Sequence, residues 1–333
     1  MSGRSLESDI SGLASEFGPQ FSGRKVLVTG GAGFLGSWLC DVFVRAGSKV
    51  DCVDNLSTST SQNLDHLKEK LNFIASNVED VTLEGTYDYI FHFSSRASPD
   101  EYIHHPIETL TTNSAGTMRI LELARRGGDS ILVQASTSEI YGDAQVVPTP
   151  ESYYGYTNSI GIRSCYDEGK RFAEALAMAY FRQFKVNVRI ARIFNSYGPR
   201  IRADGLYGRA LPRFIRQAIR GEPITIYGDG TQTRSFCYVR ETIRGILKLA
   251  SLGTEGGVVF NLGNPEEIAI LDLAKKIVER TGSASTFKFL PLMQDDPRRR
   301  CPDISRAKDE LRWEPGVSFD EGLSRTIEWF RSR

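Results

Sequence analysis

The sequence lacks an excess of either charge, a paired-cysteine pattern and any long apolar run. Its 41 Lys+Arg and 41 Asp+Glu cancel to a formal charge of zero. That argues against an extended nucleic-acid footprint, which needs a basic excess or stripe. It leaves room for a few arginines gathered in one pocket. The five cysteines, Cys40, Cys52, Cys165, Cys237 and Cys301, are odd in number and none stands in a CxxC pair. A disulfide framework or zinc knuckle is therefore not expected, and a reducing compartment, the cytoplasm, is. His66, His92, His104 and His105 show no metal-ligand spacing, and the adjacent pair reads as a polar loop, so no metal is expected. No apolar run approaches the ~20 residues a membrane span requires. The first residues, MSGRSLESDISGLASEF, carry no continuous apolar core of a signal peptide and read as an amphipathic lead-in or a frayed tail.

What is present is a regular alternation. At 333 residues and 40% hydrophobic content the chain can bury a sizeable core, as two domains or one lobed domain. Short apolar runs at Lys25–Thr29, Ser48–Val53, Asn72–Ala75, Tyr87–Phe93, Ser130–Ala135 and Val186–Ile193 read as strands. Helical periodicity covers Phe34–Ala46, Gln62–Lys70, Thr109–Arg126 and Ser164–Phe184 between them. Strands alternating with helices predict an α/β fold, a doubly wound parallel sheet of the Rossmann type. After Asn195 the rhythm breaks. Helices near Ala210–Ile219, Glu241–Ser251, Leu271–Thr281 and Phe319–Arg331 enclose short strands near Ile224–Tyr227, Val258–Asn261 and Thr286–Phe289. The expected organisation is a lead-in over 1–22, a dinucleotide-binding lobe over 23–195 and a smaller lobe over 196–333. A segment near 236–262 would return to the first lobe. The smaller lobe would cover the carboxyl edge of the sheet, where open α/β sheets bind ligands.

Two motifs carry chemistry. Gly30, Gly33 and Gly36 recur every three residues between the first strand and the first helix. Small residues there let the chain turn tightly and bring backbone N–H groups to a pyrophosphate at the positive end of the helix. Phe34 and Leu35 lie inside the same turn. Asp54, 24 residues beyond Gly30, ends the second strand, where a carboxylate can hold the adenosine ribose hydroxyls. Asn55-Leu56-Ser57 follow with no arginine for a 2′-phosphate, which favours NAD over NADP. The second motif is Tyr166-Asp-Glu-Gly-Lys170, a phenol and an ammonium one turn apart on a helix. Thr137, Ser138 and Glu139 lie at a predicted strand end and can enter the same cleft. A nearby ammonium should lower the phenol's pKa and let Tyr166 take a proton from a sugar hydroxyl. The bland alternative is an ordinary surface pair.

The glycine loop, the Thr137…Tyr166-x-x-x-Lys170 set and the two-lobe length resemble the extended short-chain dehydrogenase/reductases that act on nucleotide sugars. Within that group, STSEIYGD (136–143), GIRSCYDEGKR (161–171), ARIFNSYGPR (191–200), YGDGTQTRSF (227–236), NLGNPEE (261–267) and DDPRRRCPDI (295–304) are similar to UDP-glucuronate decarboxylases, the UDP-xylose synthases. The resemblance covers nearly the whole chain from about Gly23. It implies NAD-dependent conversion of UDP-glucuronate to UDP-xylose through a 4-keto sugar. Tyr166 would be the base and Lys170 its tuning partner and a ribose contact. Thr137 would bind the carbon-4 oxygen, Glu139 position the ring, Ser138 act as a second donor, and Arg300 lie near the carboxylate and carbon 5. Asn195, Arg209 and Arg234 would hold the diphosphate, and Tyr227 would line the uracil pocket. The resemblance also implies a homodimer through the helices Thr109–Arg126 and Ser164–Phe184, with no nucleic-acid or membrane partner.

Related 4,6-dehydratases carry Asp-Glu where this chain has Ser138-Glu139, and a serine is a far weaker acid for the leaving hydroxyl. A 4-epimerase of the same substrate, or a non-catalytic NAD-binding protein, stand as alternatives. Two departures from the pattern stand out. Arg96 replaces a proline after the fourth strand, as either a cation for the substrate carboxylate or a loop-surface charge. The segment from Asp204 to Arg209 is about three residues longer than the family's Asp-Gly-Arg.

Overall fold

The apolar runs assemble into one parallel sheet. The computed structural model describes residues 2–203, 209–292 and 294–333. The lengthened stretch at 204–208 thus lies outside the described residues. In chain order come α1 (Ser2–Phe21), β1 (Lys25–Thr29), α2 (Phe34–Arg45), β2 (Lys49–Asp54), β3 (Asn72–Ala75), β4 (Tyr89–His92) and α3 (Pro99–His104). Next are α4 (Pro106–Thr111), α5 (Thr117–Gly127), β5 (Ile131–Thr137), α6 (Ser164–Phe184), β6 (Asn187–Ile193) and the short β7 (Ser196–Tyr197). Then follow α7 (Ala210–Ile219), β8 (Ile224–Tyr227), β9 (Thr233–Ser235), β10 (Cys237–Tyr238), α8 (Val239–Ala250) and β11 (Val258–Leu262). The chain closes with β12 (Glu267–Ala269), α9 (Ile270–Thr281), β13 (Phe287–Leu290), α10 (Ser305–Leu311) and α11 (Phe319–Arg331).

The seven-stranded sheet runs β11-β6-β5-β4-β1-β2-β3. Val26 pairs with Val50 on one side and Tyr89 on the other, and Thr137 pairs with Ile193. Its central strands are buried along their length because helices cover both faces. Chain order reverses between β1 and β4, and at that switch point the strand ends open a crevice. β11 joins the sheet's edge beside β6, far along the chain. The short pairs β8·β13 and β9·β12 lie outside the main sheet.

Two expectations change. The helix expected over Gln62–Lys70 is instead a pair of short 3-10 turns, Ser61–Asn63 and Asp65–Leu67. Asn63 is drawn inward, donating from Nδ2 to the Ala32 carbonyl at 3.0 Å, and this competes with a regular helix. The N-terminal stretch is no frayed tail. α1 buries Ile10, Leu13, Phe17 and Phe21, worth about 1.5–3 kcal/mol each relative to exposure. Phe21 meets Phe43 edge to face at 4.9 Å. Asp9 accepts from Tyr238 at 3.0 Å and from Arg325 at 2.7 Å, tying α1 to the C-terminal helix. The helix read over Thr109–Arg126 is present as α4 and α5, joined through a π-type turn at Thr112–Gly116. All five cysteines are buried free thiols.

Candidate active site

A cavity of about 650 Å³ lies at the carboxyl ends of β1, β2, β4, β5 and β6 and beneath the start of α7. Its dinucleotide end is built by backbone. Gly30 sits at φ +69°, and a Cβ there would lie 2.7 Å from the Phe93 carbonyl group. A Cβ at Gly36 would overlap the Gly30 carbonyl oxygen. Only glycine fits these two positions, so the chain doubles back tightly enough to aim the start of α2 into the cavity. Gly33 caps α2 without a side-chain cap, leaving the helix's first N–H groups free for an anion. Gly30, Gly33, Phe34, Leu35 and Gly36 all line the cavity. Asp54 is buried at the end of β2, accepting from Ala32 N at 3.0 Å, Leu56 N at 2.8 Å and Ser59 Oγ at 2.8 Å. Asn55 stands beside it, donating to Asn77 Oδ1 at 2.8 Å. This cradle and carboxylate fit a dinucleotide such as NAD.

The other end is built by side chains. Thr137 ends β5 and accepts from Glu139 N at 3.3 Å, which starts a 3-10 turn over Ser138–Tyr141. That turn points Ser138 and Glu139 toward the cavity. α6 brings Tyr166 and Lys170 to the same wall, both buried. Lys170 Nζ donates to the Ala135 carbonyl at 3.0 Å and lies 5.9 Å from the Tyr166 ring centre. Tyr166 stacks on Tyr102, with ring centres 5.0 Å apart and planes within 6°.

The electrostatics correct one expectation. The Tyr166 phenol is raised, not lowered. Burial pushes it up to about 12, the Glu139 charge adds to that, and a Thr137 hydrogen bond and Arg209 oppose it. Burial in turn lowers Lys170 to about 8. Glu139 is partly buried, which alone would raise its carboxyl, but Arg163 and Arg300 outweigh this and hold it at about 2. Arg163 reaches Oε2 at 2.6 Å, while Arg300 forks onto both oxygens, its Nη2 at 2.7 Å from Oε2. Asp167 lies next to this pair. Burial and the Glu139 charge raise its carboxyl to about 8, so it is mostly protonated at neutral pH.

Arg96, Asn195 and Arg209 line the cavity. Arg96 faces inward yet is paired with Glu101 at 3.0 Å, so it is neither a bare cation nor a loop-surface charge. Arg209 begins α7 and donates to the Ala97 carbonyl at 3.3 Å. Arg300 and Arg234 sit behind the cavity wall: Arg300 on Glu139, Arg234 on Asp296 at 2.9 Å. Tyr227 is off this wall, and its ring lies 5.1 Å from the Arg213 guanidinium. Among the described residues, Arg163 Nε, Asn195 Nδ2 and Arg300 Nε are buried N–H donors without an acceptor. Such donors cost free energy unless an acceptor arrives, and of the three residues Asn195 is the one that lines the cavity.

Arg163, Asp167, Tyr102 and Asp296 stand around the catalytic wall without lining the cavity; the first two fall in the 161–171 stretch and Asp296 in the 295–304 stretch, but no spacing rule gives any of the four a role. Arg163 left one signal. A basic residue just ahead of a helix's first turn opposes the dipole, so it needs a partner elsewhere, and Glu139 is that partner.

Residues 26–263 match the NAD dependent epimerase/dehydratase family. The chain is 46% identical to a protein named UDP-glucuronic acid decarboxylase 1 from Xenopus tropicalis, over 92% of this chain and 72% of that one. Among solved structures it resembles a UDP-glucose 4-epimerase from Thermotoga maritima with UDP-glucose. That match has 31% identity and a TM-score of 0.85, covering 92% of this chain and 99% of that one. It also resembles a UDP-glucuronic acid 4-epimerase from Bacillus cereus, in complex with a fluorinated UDP-glucuronic acid and NAD. There the identity is 28% and the TM-score 0.84, covering 92% and 99%.

Proposed function

From the premise that the chain belongs to the NAD dependent epimerase/dehydratase family, we propose that it decarboxylates UDP-glucuronate to UDP-xylose through a 4-keto sugar. Gly30, Gly33, Phe34, Leu35 and Gly36 would hold the pyrophosphate of NAD, Asp54 and Asn55 its adenosine ribose, and Tyr166 and Lys170 the ribose nearer the chemistry. Bound NAD supplies hydride exchange at carbon 4 and, when oxidised, a positive ring charge that favours the Tyr166 phenolate.

The residues then divide the work. Tyr166 takes the proton of the carbon-4 hydroxyl, and Thr137 holds the oxygen. The resulting ketone is β to the carbon-6 carboxylate. The carbon 5–carbon 6 bond breaks, its electron pair delocalises onto the ketone as an enolate, and carbon dioxide leaves. Carbon 5 takes one proton, and Tyr166 returns its proton to the carbon-4 oxygen. Ser138 lies beside Glu139 as a hydroxyl donor at the same wall.

The observation that carries this reading is the doubly pinned Glu139. The acid that dehydratases carry at position 138 is a serine here, and Glu139, ionised at about 2, cannot supply the leaving hydroxyl's proton in its place. Loss of carbon dioxide needs no such acid. An epimerase must also let the ketone turn over to present its other face. A ring set against a carboxylate fixed by two arginines is hindered from turning. Release of labelled carbon dioxide from UDP-glucuronate carrying ¹³C at carbon 6 tests the assignment. Label retained in UDP-galacturonate would establish the 4-epimerase instead.

In this reading the sheet with its returning 236–262 segment binds the dinucleotide, and the rest of 196–333 holds the nucleotide sugar. Asn195, Arg209, Arg234 and Arg300 serve the diphosphate and carboxylate, with Tyr227 toward the base. The site acts in the cytoplasm on a small UDP-sugar acid. A homodimer is supported by Ile107, Leu110, Met118, Phe172 and Phe184, apolar and exposed on α4, α5 and α6.

A further inference from the structure

Strand order decides which loops flank the dinucleotide cradle. β1 lies between β4 and β2 in the sheet, so the Gly30–Gly36 turn at its end stands between the loop after β2 and the loop after β4. Neighbouring strands are ~4.8 Å apart, which sets the β2 and β4 ends about 10 Å from each other. Thr58 belongs to the first loop, and Glu101, in the first turn of α3, to the second. Arg202 comes from neither, but from the stretch between β7 and α7. One of its nitrogens joins the two. Arg202 Nη1 donates to the Thr58 carbonyl at 2.6 Å and stands 3.5 Å from Glu101 Oε1. Arg96 Nη1 takes the other carboxylate oxygen at 3.0 Å, which sets the direction in which Glu101 points. Thr58, Arg96, Glu101 and Arg202 all line the cavity.

A bridge from the β2 side to the β4 side crosses the β1 end between them, where the glycine cradle opens into the cavity. Its parts differ in strength. Within the loop after β2, Asp54 accepts from Leu56 N and Ser59 Oγ, bonds between near neighbours in the chain. The Arg202–Glu101 pair instead joins segments far apart in sequence. Its side chains are 44% and 22% exposed, so water can receive both and salt can screen them. The bridge can therefore open at that pair while each loop keeps its own internal bonds.

We propose that Arg202 and Glu101 form a clasp that sets how fast the dinucleotide leaves. Shut, it ties the loop after β2 to the start of α3 across the cradle. Open, it frees the two loops to part and the dinucleotide to pass. Neither residue takes part in the chemistry, so the clasp serves a decarboxylase and a 4-epimerase alike. It rests only on dinucleotide binding at the cradle. A reaction that oxidises a carbon and then reduces it again regenerates its dinucleotide at each turnover. Slow release keeps the reduced form beside the keto sugar until the hydride goes back.

The test is the rate at which bound NADH is released when the loaded protein is mixed with excess NAD, followed by NADH fluorescence. Glu101→Gln is expected to release NADH about threefold faster than wild type. Arg202→Ala also loses the Thr58 bond and should release it about tenfold faster. Because the two act through one contact, the double variant should match Arg202→Ala. A double variant about thirtyfold faster, the product of the two effects, overturns the clasp. Salt gives a reading that needs only the near-isosteric Glu101→Gln. Raising it from ~20 mM to ~500 mM should speed release from wild type more than from Glu101→Gln, which has no ion pair to screen. An equal salt dependence in the two overturns the inference, as does release from Glu101→Gln at the wild-type rate. Wild type that binds no NADH would overturn the cofactor assignment as well, and so is distinguishable from failure of the clasp alone.

Discussion

The two ends of the cavity solve the same problem, satisfying polar groups out of water, by different means. At the dinucleotide end the partners are local and mostly backbone. Asp54 takes its hydrogen bonds from Ala32, Leu56 and Ser59. At the sugar end the partners are charged side chains from distant segments. Glu139 is held by Arg163 and by Arg300, 161 positions away. The first end is rigid and needs small residues. The second is a balance of charges between segments far apart in the chain.

The largest expected effect breaks the backbone end. Gly36→Ala places a Cβ on the Gly30 carbonyl oxygen, and NAD binding should weaken at least ~10²-fold, as measured by fluorescence titration. Tyr166→Phe leaves that cradle untouched and should cost at least ~10² in kcat with UDP affinity unchanged; a near-wild-type rate would remove the base assignment. Glu139→Gln removes the carboxylate charge that pairs two buried arginines and should lower unfolding free energy by about 3–5 kcal/mol, read by urea denaturation. The kcat profile should also shift to lower pH, because Glu139 is one of the groups raising the phenol.

Asp167 gives a smaller, pH-dependent effect. Folding raises its carboxyl from 3.8 to about 8, so the folded state holds the proton more tightly than the unfolded one. The cost of ionising it is absent below about pH 4, grows as pH rises and is complete above about pH 8. Asp167→Asn cannot ionise, so its Tm relative to wild type should be higher at pH 8 than at pH 5, and an equal difference at both would contradict the assignment. The smallest effect is expected at Arg96. Its charge is already met by Glu101, so Arg96→Ala should change KM for UDP-glucuronate by no more than about threefold.

This contrast also sets what the sequence could tell. The strands around the crevice, the Gly30–Gly36 cradle, Asp54 and the Tyr166–Lys170 pair are legible because each rests on spacing within one or two elements. The pairs Glu139–Arg300, Arg234–Asp296 and Arg96–Glu101 are not, since segments that meet only in the folded chain choose them. For the same reason spacing alone gives the wrong sense for the Tyr166 shift. Spacing shows the ammonium one turn away, but burial and the Glu139 charge decide the outcome. Gln62–Lys70 has helical periodicity, yet Asn63's bond to the glycine loop is a tertiary contact that periodicity does not carry.

Turnover of UDP-glucuronate in D₂O, followed by ¹H NMR, tests the central claim most directly. Loss of carbon 6 leaves carbon 5 to be protonated from solvent, so UDP-xylose with one deuterium at carbon 5 and its original hydrogen at carbon 4 is the predicted product. UDP-galacturonate free of deuterium would contradict the account.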